Sequence, residues 1–158
     1  MRFALGVLAL MVLTAIPAKA FTTIDDPAAF VRGVYAHWDS GKAPPEDIYS
    51  DRLGALIALD NREAHGEVGR GNDFSFWCDC QDGTLKHPAV KSRTVENAEG
   101  RKVVTAKFDL DGRKKEIEFY FENSKKGWKL DDVRLLGKNG WTLSLILKYG
   151  WAQGSSAY

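Results

Sequence analysis

The strongest constraint on the fold is a predicted β-hairpin in the second half of the chain. Its strands span residues 103–110 and 114–123 and alternate apolar with polar side chains, as half-buried strands do. Between them, Asp111-Gly112 accepts the positive φ angles of a tight turn. In the register that this turn sets, one face is apolar and the other acidic, which predicts an antiparallel sheet with one buried face. The apolar side chains are Val104, Ala106, Phe108, Leu110, Ile117, Phe119 and Phe121, and the acids opposite are Glu116, Glu118 and Glu122.

Two helices are predicted before the sheet. Asp26-Pro27 is a favourable start, because Asp caps the first turn and Pro tolerates the first helical position. We expect this helix to run from Pro27 to Trp38, with its apolar side chains on one face. Ser50 is the predicted N-cap of a second helix, which ends near Gly66.

Beyond residue 71 the apolar period changes from helical to alternating, so the remainder is predicted to be mostly sheet. After the hairpin, Gly127 opens a further strand, and a slip of the pattern at Asp131-Asp132 predicts a β-bulge. A short helix is expected from Trp141 to Tyr149, ended by Gly150. Together these elements predict an α+β domain in which the N-terminal helices pack on one face of a curved antiparallel sheet.

Residues 1–20 have the pattern of a cleavable signal peptide. Arg2 precedes an apolar run of 14 residues, and Ala18-Lys19-Ala20 supplies small side chains for cleavage. The run is shorter than the roughly 20 residues that span a bilayer. Residue 21 is Phe rather than Cys, so no thiol follows the leader to carry a lipid anchor. We expect cleavage after Ala20, one domain over residues 21–158, and a periplasmic or secreted product without a membrane anchor.

The charge balance argues against nucleic acid as a partner. The formal net charge of +1 becomes −1 once Arg2 and Lys19 leave with the leader. Nucleic-acid binding needs a basic patch, and here the runs of basic residues are short, with Lys114-Lys115 preceded by Arg113 and a separate pair at 125–126. The sequence also carries no nucleophile, phosphate-loop or zinc-protease motif, so no catalytic residue is assigned.

The densest group of unusual residues lies between residues 73 and 82, where aromatic, sulfur and acidic side chains come together. As a binding site for a polar ligand, this segment would offer Trp77 as an apolar wall. Asp79, Gln81 and Asp82 would supply the hydrogen-bonding groups. The alternative is that the segment is a structural loop, because Asp and Gln side chains in turns commonly form hydrogen bonds with neighbouring backbone groups.

Cys78 and Cys80 are the only cysteines of the chain, and an exported protein would tend to pair them. A disulfide between cysteines that are separated by one residue closes a small ring with strained geometry. The sequence therefore leaves two alternatives, a disulfide and a pair of cysteines that is not bonded. A zinc site would need further ligands with compatible spacing, and His37, His65 and His87 lie in three separate segments. No metal site and no cofactor are therefore predicted.

Asp131-Asp132 followed by Arg134 permits two interpretations. A carboxylate oriented by the cation has the chemistry of a general base. A salt bridge within the sheet is the alternative that the sequence favours. Asp132 is included among the candidate binding residues.

Four segments resemble the DUF3828 family of exported bacterial domains of unknown function. They span residues 26–35, 49–53, 73–82 and 127–133, and the Gln81-Asp82 pair is the most characteristic. The resemblance implies an α+β cone similar to the NTF2-like or cystatin-like folds. Such cones include both enzymes and binding proteins, so the resemblance implies no particular activity.

Two classes of function follow. The first is an exported, non-catalytic binding module whose cone mouth, around residues 77–82, contacts an envelope protein or a small polar ligand. An inhibitor or immunity-type protein is a specific form of it. The second is a small enzyme or ligand binder with His37 or an aspartate buried in the cone. Burial discriminates between them, because an interior filled by Trp38, Phe108 and Phe119 leaves no catalytic cavity. A homodimer through the open face of the sheet is also considered.

Overall fold

The computed structural model describes residues 23–38, 44–95 and 98–155. The predicted signal peptide at residues 1–20 lies outside the described residues. Helices α1 to α4 span Pro27–Ala36, Asp51–Glu63, Leu143–Tyr149 and Trp151–Gly154, and a 3₁₀ turn covers Glu46–Ile48. Strands β1 to β5 span Leu85–Thr94, Arg101–Leu110, Arg113–Ser124, Gly127–Leu135 and Trp141–Thr142.

The described strands form one antiparallel sheet in the order β1-β2-β3-β4-β5, so each strand pairs with its neighbour in sequence. The β2–β3 hairpin has the predicted register, with Val104 opposite Phe119. Asp111 and Gly112 turn the chain at φ values of 48° and 77°, as a tight hairpin turn requires. All seven apolar side chains predicted for the inner face are at most 6% exposed.

Both predicted N-caps are present. The Asp26 carboxylate accepts a hydrogen bond from the backbone N–H of Ala28 at 2.9 Å. The Ser50 hydroxyl accepts one from the backbone N–H of Leu53 at 3.0 Å. Each bond satisfies an amide that has no partner within its own helix, which is why these residue types begin helices.

The first two helices end earlier than the sequence predicts. Helix α1 ends at Ala36 rather than at Trp38, and α2 ends at Glu63 rather than near Gly66. Behind α2, His65 and Gly66 adopt positive φ values of 50° and 92°. Such φ values are incompatible with a right-handed helix, so the chain leaves the helical path before the predicted end.

The bulge in β4 is confirmed. Tyr120 faces Asp132 and the next residue, Phe121, faces Leu130, which leaves Asp131 as the extra residue of β4. A bulge of this kind bends the strand and redirects the side chains beside it. The two aspartates therefore lie where the regular pairing of β3 and β4 is interrupted.

The C-terminal helix begins later than predicted. Trp141 and Thr142 form strand β5, with Trp141 paired to Leu135, and α3 begins at Leu143. Trp141 is 1% exposed, so its burial against the sheet outweighs the helical pattern of the residues that follow. Gly150, at φ 84°, ends α3 as the sequence predicts.

The helices pack against the sheet. Helix α1 lies against β1 and β2, and α2 and α3 lie against β4 and against each other. Tyr35 of α1 places its ring 5.3 Å from the ring of Phe108 and 6.4 Å from that of Phe119. The predicted α+β class is thus confirmed, with helices on a curved antiparallel sheet and a short C-terminal helix. None of the helices in the described part of the chain combines the length and apolarity needed to span a membrane.

Candidate functional site

The segment between residues 73 and 82 is a closed loop. The backbone N–H of Ser75 donates to the carbonyl of Cys80 at 2.8 Å. Cys78 and Cys80 are joined by a disulfide, with their Cα atoms 5.2 Å apart. Of the two alternatives that the sequence leaves open for these cysteines, the structure therefore has the disulfide.

Trp77 belongs to the hydrophobic core. Its side chain is 5% exposed, and its ring stacks on Phe119 with 4.8 Å between centroids. The Tyr35 hydroxyl donates to the Trp77 carbonyl at 2.6 Å, and burial raises the pKa of Tyr35 well above its ordinary value. Little of the indole is open to a ligand at the protein surface. The role of Trp77 as a ligand wall stays a prediction.

Asp79 connects the loop to the sheet. Its backbone has a positive φ of 55°, a conformation that Asp tolerates better than most residues. One carboxylate oxygen accepts from the indole N–H of Trp141 at 2.7 Å, and the other accepts from the Lys115 ammonium. These two bonds join the loop to β5 and β3. They favour the structural interpretation of Asp79, and its role in ligand binding stays a prediction.

The other two predicted loop residues face solvent. The Gln81 amide donates to the carbonyl of Asp73 at 3.0 Å, which is the local backbone bond that such turns commonly make. Asp82 is exposed at the end of the loop. Gln81 and Asp82 are therefore the members of the predicted set that a partner can reach directly.

The fifth candidate, Asp132, is held by other partners. One carboxylate oxygen accepts from the backbone N–H groups of Val133 and Ser144 at 2.9 and 3.0 Å. The other accepts from the Ser144 hydroxyl at 2.6 Å. Asp132 is 7% exposed and joins β4 to the first turn of α3. The candidates thus divide between the loop and this buried position in β4.

Asp131 lies beside Asp132 and bonds to α2. Its Oδ1 accepts from the Ser50 hydroxyl at 2.7 Å and from Nε of Arg52 at 3.0 Å. Arg52 also lies 3.8 Å from Asp132, so this arginine of α2 is the cation that contacts both aspartates. Arg134, which the sequence offers as their partner, has its guanidinium carbon 4.5 Å from the ring centroid of Tyr120.

The pKa of Asp131 is lower than its ordinary value. Burial raises the pKa, but hydrogen bonds from Arg52 and Ser50, together with the charges of Arg52 and Arg101, outweigh that effect. The ionised carboxylate therefore stabilises the folded chain above the unfolded-state pKa of about 3.9, and this stabilisation is lost as the pH falls through the folded-state pKa.

We expect Asp131→Asn to reduce the loss of unfolding free energy on acidification, which is the acid limb of a plot of unfolding free energy against pH. Urea titrations measure this, with the exposed Asp82→Asn as control, and an unchanged acid limb would contradict the assignment.

An enclosed cavity among the described residues is small. It is lined by Ile57, Asp60, Leu143 and others and measures about 40 Å³, far below the roughly 300 Å³ at which small-molecule sites begin. Asp60 is buried, accepts from the backbone N–H of Gly71 at 2.9 Å and lies 3.3 Å from Nε of Arg70. His37 is exposed at the C-cap of α1. Across residues 23–38, 44–95 and 98–155, no three His, Cys, Asp or Glu side chains are grouped so as to hold a metal ion.

Larger concave surfaces lie outside the core, and among them are one lined by charged groups and one that is mainly apolar. A cleft of about 550 Å³ near the β2–β3 turn is lined mainly by charged groups that pair with one another. Lys107 lies 2.8 Å from Glu116, and His87 lies 3.3 Å from Asp109. The Lys107–Glu116 pair neutralises part of the charge that a ligand would otherwise meet.

The second surface, here called the α2–α3 groove, is mainly apolar. It measures about 500 Å³, within the range of roughly 300–1,000 Å³ found for small-molecule sites. Sequence reasoning missed this groove. The sequence does contain one indication of the groove, because the apolar residues of α2 include Ala55 and Leu59, which lie outside its buried face. The lining residues are Arg52, Ala55, Leu56, Leu59, Ser144, Leu145, Lys148 and Tyr149.

No protein-family model matches the chain. No curated protein sequence matches it either. Among solved structures, the chain is similar to a phospholipid-binding protein from Ralstonia solanacearum in complex with a phospholipid, with a TM-score of 0.34 and 19% identity. The match covers 81% of this chain and 62% of that chain, so this chain spans less than two thirds of the neighbour's length. A likeness at this TM-score carries no argument about fold or ligand.

Proposed function

We propose that the chain is an exported, non-catalytic binding module that holds the apolar part of a small ligand in the α2–α3 groove. One observation carries the proposal. The groove is concave, open and lined mainly by carbon, because Ala55, Leu56, Leu59, Leu145 and Tyr149 all contribute to it. An apolar concave surface with a few polar groups at its edges is the usual form of a small-molecule site.

The competing proposal of an enzyme needs a carboxylate or histidine aimed into an interior cavity. Asp131 and Asp132 are buried, but their oxygens accept hydrogen bonds from Ser50, Arg52 and Ser144. A general base needs a lone pair directed at a substrate proton. These arrangements support structural roles for both aspartates.

Export to the bacterial envelope and membership of the DUF3828 family are parts of the same proposal. They rest on the leader pattern at residues 1–20 and on the four resembling segments. The intact mass of the protein recovered from the envelope tests the export. A mass that corresponds to residues 21–158 supports it, and a retained leader would contradict it. A dominant crosslinked protein would instead favour the inhibitor or immunity form.

Binding at the groove is tested with Nile red, an uncharged dye whose fluorescence rises in apolar surroundings. We expect the envelope-derived protein to bind it, and Leu59→Gln to weaken binding roughly tenfold, about 1.4 kcal/mol. The reason is that Leu59 is a half-exposed lining residue whose loss removes apolar contact with the dye. Fluorescence titration measures the affinity, and circular dichroism verifies folding.

Val68→Gln is the matched control, because Val68 is 68% exposed and lies outside the groove. Equal loss of dye binding in both variants would mean that the dye does not report on the groove. Absence of dye binding to the wild-type protein, or an unchanged affinity in Leu59→Gln, would overturn the proposed function.

A further inference from the structure

We infer that the ligand of the α2–α3 groove is a single-chain anionic amphiphile, a fatty acid whose chain lies along the groove and whose carboxylate pairs with Lys148. This inference rests on the proposed function and adds the chemical class of the ligand. It is carried by the distribution of charge around an apolar floor. The experiment distinguishes the fatty acid from two other occupants, which are an uncharged amphiphile and a second copy of the chain.

The floor of the groove is apolar along one side of α2. Ala55 and Leu59 are one helical turn apart and share a face, and Leu145 of α3 adds to the same surface. The seven steps from Arg52 to Leu59 advance about 10 Å along the helix axis, a length that part of an acyl chain can follow. An acyl chain laid along this side of α2 buries carbon against the apolar side chains.

Positive charge flanks this floor. Arg52 and Lys148 are the charged lining residues, and none of the lining residues is acidic. Arg62, three positions beyond Leu59, is exposed on the same face of α2. The neighbouring Glu63 pairs with Arg70 at 2.6 Å, and Arg70 also lies 3.3 Å from Asp60. Lys148 and Arg62 are therefore the cations that favour an anionic ligand over a cationic one at this groove.

Lys148 is the cation best placed for the head group. The charge of Arg52 is already shared with Asp131 and Asp132, at 3.0 and 3.8 Å. The Lys148 ammonium lies 4.9 Å from the ring centroid of Tyr149. Among the described residues, no carboxylate lies within ion-pair distance of Lys148. A ligand carboxylate would therefore gain a charge-assisted hydrogen bond there without displacing an existing partner.

The experiment compares three amphiphiles with the same twelve-carbon chain below their micelle concentrations: dodecanoate, dodecyl maltoside and dodecyltrimethylammonium. Calorimetric titration of the envelope-derived protein at pH 8, well above a carboxyl pKa of about 4, keeps dodecanoate charged. We expect dodecanoate to bind at least tenfold more tightly than the maltoside, and the ammonium compound to bind most weakly. Lys148→Gln should reduce the dodecanoate-to-maltoside preference to below threefold, while the exposed control Lys138→Gln preserves it.

The outcomes separate this inference from the proposed function. Equal affinity for dodecanoate and maltoside, with both weakened by Leu59→Gln, would overturn the anionic head group and leave the groove as the site. A preference unchanged by Lys148→Gln would also overturn the inference. A wild-type dimer in sedimentation that Leu59→Gln converts to monomer would make a second copy the occupant. Failure of all three amphiphiles and of Nile red would overturn the proposed function itself.

Discussion

Trp77→Ala is expected to lower the free energy of unfolding by about 3–5 kcal/mol, the usual cost of removing a buried aromatic side chain. The indole is 5% exposed and packs on three other rings: Phe119 at 4.8 Å, Phe76 at 5.3 Å and Phe30 at 6.2 Å between centroids. Its truncation leaves a cavity that these rings cannot all close, because they belong to different elements. Urea unfolding followed by circular dichroism measures the loss.

Gln81→Ala in the same loop is the control for Trp77. Gln81 is exposed and bonds only to the loop backbone at Asp73, so its replacement is expected to change stability by less than about 0.5 kcal/mol. A Trp77→Ala protein as stable as the wild type would contradict the core assignment. In that case the sequence-based prediction that Trp77 contacts a ligand would be favoured again.

Local rules were sufficient for much of the fold. The caps at Asp26 and Ser50 and the turn at Asp111-Gly112 depend on residues within a few positions of one another. The same holds for the bulge at Asp131, which appears in the sequence as a slip in the alternation. Because these features are satisfied locally, their residue types predict them without knowledge of the tertiary structure.

Contacts between distant segments were not predictable in this way. The Ser50–Asp131 and Arg52–Asp131 bonds join residues 81 and 79 positions apart, and the sequence offered the nearer Arg134 instead. Trp141 shows the same limitation, because its burial beside Leu135 made a strand where the local pattern predicted a helix. Such outcomes depend on which elements pack together, a property that no local pattern specifies.

The candidate site was harder to predict than the fold. The composition of residues 73–82 is compatible with a binding surface but favours a structural loop, and burial is the observation that distinguishes them. The α2–α3 groove joins residues of two helices separated by the whole sheet in sequence. Its sequence signal, the surplus of apolar residues on α2, is also the signal of a helix that packs on both sides.

Asp132→Ala is expected to lower the free energy of unfolding by about 3–5 kcal/mol, as removal of one partner from a buried charged network does. The carboxylate accepts from two backbone N–H groups, those of Val133 and Ser144, and from the Ser144 hydroxyl. Alanine leaves these donors buried without an acceptor, and it removes one of the two carboxylates that face Arg52. Urea unfolding at pH 7 measures the effect.

Asp132→Asn separates the contribution of charge from that of hydrogen bonding. Its carbonyl oxygen still accepts from the two backbone N–H groups, but its amide presents a donor to the Ser144 hydroxyl and carries no charge. We therefore expect a smaller loss of about 1–3 kcal/mol. An Asp132→Ala protein within about 1 kcal/mol of the wild type would contradict the network, since surface changes produce effects of that size. Because Ser144 lines the α2–α3 groove, the carboxylate that holds it also fixes the position of one polar group of the proposed ligand site.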